Sequence, residues 1–347
     1  MWHLVKRLLA MWALLWLVWA CGTEPEAPSL DYTLEVPANF PPPKPVFKNN
    51  PVTKAGFELG RALFYDPILS RDNSISCEGC HKQFSGFADL GHKVSHGIED
   101  KLGTRNSPAL ANLAWQPEFF WDGGVNHLEM VPLVPITNPV EMDAKLTTII
   151  KKLNNHKRYP KQFRAVFGGD SINSQQLFRA LSQFMGLLVS ANSRYDKYVQ
   201  NGGGSLTTAE LNGLQVFKNK CGSCHATDLF TDFSYRNNGL DTDFRKDEGR
   251  FLITNNAADA GKFKVPSLRN VAVTSPYMHD GRFQNLKQVL NHYVNGVKTS
   301  ATLDPLLQTN ASPGIALTPE EQSDIIAFLQ TLTDQEFLTN AKFSQHQ

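Results

Sequence analysis

Cysteine is scarce in this chain, with five in 347 residues. Four fall in two copies of one short motif and the fifth lies near the N-terminus. No pair is left for a structural disulfide, and no spare thiol for free cysteine chemistry. An excess of charge of one sign is also missing: 34 Lys and Arg face 33 Asp and Glu, a net charge of +1. No strong field therefore points to nucleic acid or a polyanionic partner. Leu8 to Ala20 is apolar and uncharged, but that run falls short of the about 20 residues that span a bilayer.

What is present at the N-terminus is a targeting pattern. Lys6 and Arg7 precede the apolar run, which ends Val18-Trp19-Ala20-Cys21. The order is that of a signal peptide, and a small residue before Cys resembles a bacterial lipoprotein processing site. Residues 1–21 are expected to be removed or processed, leaving Cys21 lipidated and the chain exported to the periplasm. Ordinary signal cleavage and an uncleaved anchor are the other readings. Gly22 after Cys21 carries no inner-membrane retention signal and leans toward the outer membrane. Residues 22–50 are Pro-rich with little apolar periodicity and read as an extended tether outside the fold.

The body, with 41% apolar residues, is long enough for two domains. Helical spacing is expected over Gly56 to Tyr65, Thr147 to Phe167, Gln175 to Tyr198, Ala209 to Asn219 and Thr318 to Leu332. Thr207 with Glu210 reads as a capping box, and Thr318-Pro319 as a helix start. Asn201-Gly202-Gly203-Gly204-Ser205 reads as a hinge. The domains expected are 51–201 and 202–336, with a tail over 337–347.

The two motifs are Cys77-Glu78-Gly79-Cys80-His81 and Cys221-Gly222-Ser223-Cys224-His225. In Cys-x-x-Cys-His both thiols add to haem vinyl groups, and the His coordinates iron from the proximal side. Zinc binding and thioredoxin-like chemistry are the competing readings. The fold expected is mostly α: two cytochrome c-like helical domains, each wrapping one covalent c-type haem, with long irregular loops. Two haems alone do not separate an electron carrier from an enzyme. A carrier closes both sixth coordination positions, whereas a peroxidase leaves one open beneath an acid–base group.

Further segments carry a resemblance. They are Leu59 to Asp66, Ser76 to His81, Arg105 to Asn112, Phe120 to Gly123, Pro139 to Met142, Val265 to Ala272 and Pro276 to Gly281. In order and spacing this set resembles the bacterial di-haem cytochrome c peroxidases and their MauG-type relatives, over about residues 52–332. The resemblance implies a peroxide-reacting centre at His81 and an electron-relay centre at His225. It implies Trp121 as the indole between the haems and Glu141 as the distal carboxylate. It implies one calcium ion on Asn106, Thr274 and Pro276, the last two through backbone carbonyls. It also implies hydrogen peroxide as substrate, a small cytochrome c or cupredoxin as electron donor, and a homodimer. Read without the resemblance, Glu141 is a solvated carboxylate, Trp121 a core aromatic and Asn106 a turn residue.

Two positions depart from the peroxidase pattern. Where a second His closes the N-terminal haem in peroxidases that need reductive activation, counting back from Arg105 gives Ile98. An apolar Ile cannot ligate iron, and nearby His92 and His96 read as loop residues. Where peroxidases place Met on the C-terminal haem, the position is Tyr293, as in MauG-type proteins; His292 and Met278 are the other candidates. The expected function is reduction of peroxide to water by a di-haem peroxidase. The alternatives are a MauG-like enzyme oxidising residues of a partner protein and a di-haem electron carrier without turnover.

Overall fold

The computed structural model describes residues 32–308 and 312–345. The signal segment, Cys21 and the start of the tether lie outside them. The main helices are α1 (Lys54–Tyr65), α2 (Leu146–Asn154), α3 (Tyr159–Phe167), α4 (Ser174–Gly186), α5 (Arg194–Val199), α6 (Thr208–Lys220), α7 (Leu286–Asn291) and α8 (Pro319–Gln330). Strand among the described residues is one antiparallel pair, Tyr235–Arg236 with Phe263–Lys264. The fold is mostly helical, as expected, and holds two apolar cores.

The first core forms where α1 crosses α4. Thr53 caps α1 by accepting from the Gly56 N–H, which starts the helix. Phe57, Gly60 and Phe64 then fall on one buried face at helical spacing. A Cβ on Gly60 would lie 2.0 Å from the Ala180 carbonyl, so the crossing tolerates no side chain there. The close approach brings Phe184 within 5.4 Å of Phe57 and 5.1 Å of Phe64, ring centre to ring centre. The second core repeats the device: α6 crosses α8 at Gly213, whose Cβ would meet the Asp324 carbonyl at 1.9 Å. Phe217, Phe230 and Phe328 pack beside it. Burying each such ring stabilises by about 1.5–3 kcal/mol. The expected capping boxes at Thr207 and Thr318 are both present.

Four expectations need correcting. The stretch Thr147 to Phe167 is two helices, because Asn155 ends α2 and Pro160 stands in the first turn of α3, where proline is tolerated. The stretch Gln175 to Tyr198 breaks after Gly186 and restarts at Arg194, capped by Ser193. Tyr195 already packs in the second core against Phe230 and Phe328, so the chain crosses between cores before the glycine run.

Residues 32–50 do not hang free as a tether. Phe40 is buried against Trp115 with the Arg269 guanidinium 4.4 Å from its ring centre, and Asn39 donates to Asp196 at 3.0 Å. Nor is the C-terminus a loose tail: Phe337, Leu338 and Phe343 join the first core. In both segments a few apolar side chains bury enough area to hold otherwise irregular backbone on the body.

Candidate active site

Each Cys-x-x-Cys-His motif closes a helical turn. Cys77–Cys80 is a short helix capped by His81, and Cys221 ends α6. In both, the His backbone N–H returns to the first Cys carbonyl, at 3.0 Å for His81 and 2.9 Å for His225. The imidazoles are fixed the same way. Nδ1 of His81 lies 2.8 Å from the Phe87 carbonyl, and Nδ1 of His225 lies 3.0 Å from the Phe230 carbonyl. Both phenylalanines sit in the left-handed region, with φ of 59° and 54°, which turns each carbonyl back toward the ring. A carbonyl only accepts, so Nδ1 carries the proton and Nε2 keeps a lone pair free for a metal. Burial also pushes both imidazoles down, toward the neutral, ligating form.

One cavity of about 870 Å3 runs between the motifs, with a wall more apolar than polar. Its lining contains all twelve residues expected of the site: Cys77, Cys80, His81, Asn106, Trp121, Glu141, Cys221, Cys224, His225, Thr274, Pro276 and Tyr293. Burial, with the neighbouring Cys of the same motif second, pushes the Cys77 and Cys221 thiols up to about 12. Zinc and thioredoxin-like chemistry need the thiolate, which this setting opposes. A neutral thioether to haem suits it, so the residues present fit covalent haem.

Glu141 borders the cavity on the first motif's side, where its charge is felt at the Cys80 thiol. Burial raises its carboxyl, and the Asn138 amide, donating to Oε1 at 2.7 Å, pulls it back. Ile98 is fully buried, and its backbone N–H bonds to the Glu141 carbonyl. His92 and His96 do not line the cavity: their Nδ1 atoms bond Asp89 at 2.9 Å and Asp100 at 2.6 Å, and both side chains are about half exposed. They behave as the loop residues expected.

Across the cavity, Tyr293 lies in a π-helical turn, His292–Gly296, that continues α7; such bulges recur at functional sites. Burial raises its phenol to about 12, opposed by the Asn238 amide. His292 is turned away, with Nε2 3.0 Å from the Asn238 carbonyl, and does not line the cavity. Met278 does line it, its sulfur accepting from Asn238 Nδ2 at 3.5 Å. Asn238 thus touches all three candidate ligands.

Trp121 lines the cavity that both motifs share, and its Nε1 donates to the Asn106 carbonyl at 2.8 Å. The stretch Asn106 to Val125 recurs, without a gap, as Lys264 to Phe283, offset by 158 (264 − 106). Asn112 and Asn270 share left-handed φ values of 59° and 61°, as do Phe120 and Met278 at 65° and 74°. The bridge Phe119–Val125 matches Tyr277–Phe283. The halves also exchange reciprocal bonds: Asn106 N–H to His279 O and Lys264 N–H to Trp121 O, each 2.7 Å. His279 is therefore the counterpart of Trp121. Sequence reasoning missed this duplication, as it missed Asn138, Asn238 and Lys264. The signal was Pro-x-Leu-x-Asn followed by Asp-Gly, present at Pro108 and Asp122 and again at Pro266 and Asp280.

Residues 54–203 match the family described as di-haem cytochrome c peroxidase. The chain is 34% identical to the methylamine utilization protein MauG of Methylorubrum extorquens, over 85% of this chain and 82% of that one. It is 32% identical to cytochrome c551 peroxidase of Nitrosomonas europaea, over 84% of each. The chain belongs to the di-haem cytochrome c peroxidase family. It is an oxidoreductase of the cytochrome c peroxidase type, and the family's cofactors are two haems. Among solved structures, a MauG-like protein associated with microbial copper homeostasis superposes with a TM-score of 0.82 at 33% identity, over 90% of this chain and 98% of that one. No described helix is long and apolar enough to cross a membrane.

Proposed function

We propose that this di-haem peroxidase reduces hydrogen peroxide to water at the His81 side of the cavity, with electrons from a small periplasmic cytochrome c or cupredoxin. The observation that carries the reading is Glu141, a half-buried carboxyl on the cavity wall by the first motif, where His92 and His96 are absent from the described cavity lining. Bound haem supplies the iron and the redox chemistry. The chain's own residues supply the rest. Glu141, held by Asn138, takes a proton from one peroxide oxygen and returns it to the departing one. Ile98, apolar and buried, would offer no ligand to a haem held by His81, so no reductive activation would be needed. Trp121, pinned by Asn106, stands between the motifs as the electron path to the His225 side.

Tyr293 supports a second reading. If Tyr293 held the C-terminal haem from its distal side, its phenolate would favour oxidised iron where Met would favour the reduced state. That suits a MauG-like enzyme that oxidises residues of a partner protein. Calcium on Asn106, Thr274 and Pro276 is supported by their shared place on the wall and by their neutral oxygens, which suit that ion. The pattern at Cys21 supports a periplasmic chain anchored by lipid, and the family resemblance supports a homodimer.

The deciding measurement uses the two-haem protein with reduced cytochrome c. Rapid peroxide-dependent oxidation of the donor supports the peroxidase. Slow donor oxidation with peroxide-dependent modification of a partner protein supports the MauG-like role. A resting spectrum without a high-spin component sinks both enzyme readings in favour of an electron carrier.

A further inference from the structure

Asn106 and Lys264 occupy equivalent positions in the two halves, 158 apart, and so do Glu118 and Pro276 (276 − 118) and Gln116 and Thr274 (274 − 116). The Lys264 side chain of the second half, itself buried, reaches across to the loop of the first half. Its Nζ donates to Gln116 Oε1 and to the Glu118 carbonyl, both at 2.7 Å. In the other half nothing comparable happens. Asn106 is too short, and its Nδ2 is spent on the His92 and Lys93 carbonyls at 3.3 Å each. Pro276 is buried, yet among the described residues no N–H donates to its carbonyl. A carbonyl without a donor keeps its lone pairs open to another partner.

We propose that the two halves carry equivalent cation cradles, one filled by the chain's own Lys264 and the other by calcium where Asn106 replaces lysine. The inference rests on reading Asn106, Thr274 and Pro276 as the calcium ligands and explains why that ion is needed on one side only. Glu118 O and Pro276 O are the matching acceptors. A lysine brings its own ammonium, which burial pushes down to about 7 while the Glu118 and Asp122 carboxylates support its charge; an asparagine leaves the space and offers a neutral oxygen of the kind calcium takes. Each cradle braces a loop between the motifs. Asn106 holds the Trp121 indole through its carbonyl, and Lys264 bonds the Trp121 main chain. The two cations thus lock the tryptophan from both ends.

The test measures bound calcium and thermal unfolding of the two-haem protein, with and without a chelator. Wild type should hold one calcium and melt several degrees lower after chelation. Asn106→Lys should hold none, melt near calcium-loaded wild type and ignore the chelator. Lys264→Asn should bind a second calcium and regain its melting temperature in millimolar calcium, whereas Lys264→Met should lose stability that calcium does not restore. The proposal is overturned if Asn106→Lys melts like chelated wild type or still binds calcium. Equal responses of Lys264→Asn and Lys264→Met to calcium overturn it as well, even should one variant fold poorly. A wild type that holds no calcium and ignores the chelator instead removes the calcium reading, and the proposal with it.

Discussion

The backbone N–H of Ile98 donates to the main-chain carbonyl of Glu141 at 2.7 Å. The bond fastens the loop in which a distal histidine was sought directly to the carboxylate that does the proposed acid–base work. Gly97 makes the approach possible: a Cβ there would lie 2.2 Å from the Val140 carbonyl and 2.5 Å from that of Glu141. Gly97→Ala must therefore push Glu141 away. Displacements near 1 Å at a reacting centre cost about 10²-fold in rate. Peroxide turnover should fall by at least about tenfold, with both haems still attached by their absorbance. Unchanged turnover would remove Glu141 from the reaction or show that the loop yields freely.

Glu141 itself should titrate in the activity. Only its ionised form accepts a proton, and burial raises its carboxyl. The acid limb of kcat/KM should therefore lie above the about 4.3 of an ordinary glutamate. Asn138 donates to the charged form, so Asn138→Leu should move the limb to higher pH while leaving the high-pH plateau similar. Glu141→Gln should lower turnover by about 10²–10⁴-fold on the high-pH plateau, and the difference should shrink down the acid limb. An Asn138→Leu limb that moves to lower pH contradicts the assignment.

Asn238 touches each of the three side chains weighed as distal ligand of the second haem. Its amide reaches Met278 and Tyr293, and its carbonyl occupies His292. Tyr293→Met should raise that haem's midpoint potential by on the order of 0.1 V, within the ~0.8 V that axial ligands command. Tyr293→Phe should replace its low-spin resonance at low temperature. Asn238→Leu frees the Met278 sulfur and should add a second low-spin species to the spectrum. Identical spectra for wild type and Tyr293→Phe would strike Tyr293 from the ligand set.

Much of this site could be read in the sequence because covalent haem demands a fixed local pattern. Cys77 to His81 and Cys221 to His225 stand at the cavity for that reason, and the capping boxes at Thr207 and Thr318 are equally local. What escaped was set by distant contacts. Phe40 lies in a Pro-rich stretch without periodicity, and only Trp115 and Arg269 reveal it as core. Asn138 and Asn238 carry no sequence signal, because a loop asparagine is usually a turn residue. The duplication hid because its equivalent positions carry different chemistry: tryptophan against histidine, asparagine against lysine. Backbone conformation kept the repeat after the side chains had diverged.

The strap over residues 32–50 ends on a buried ion pair whose cost can be measured. Asp196 and Arg269 are 1% and 0% exposed and joined by two bonds of 2.7 and 2.9 Å. Asp196 also accepts from Asn39 at 3.0 Å, and the Phe40 ring covers the guanidinium. Removing one partner of such a pair leaves a buried charge uncompensated. Asp196→Asn should therefore destabilise by about 3–5 kcal/mol at neutral pH. The Arg269 contacts hold the Asp196 carboxyl below its ordinary value despite burial. Its contribution is thus present above the unfolded value of about 3.9 and drains away as pH falls through the lower folded value. Denaturant unfolding of wild type and Asp196→Asn should accordingly show a gap that narrows as the pH falls below about 4. A gap of equal size at pH 7 and in acid would assign the stability to packing of Phe40 alone, which Phe40→Leu would then carry.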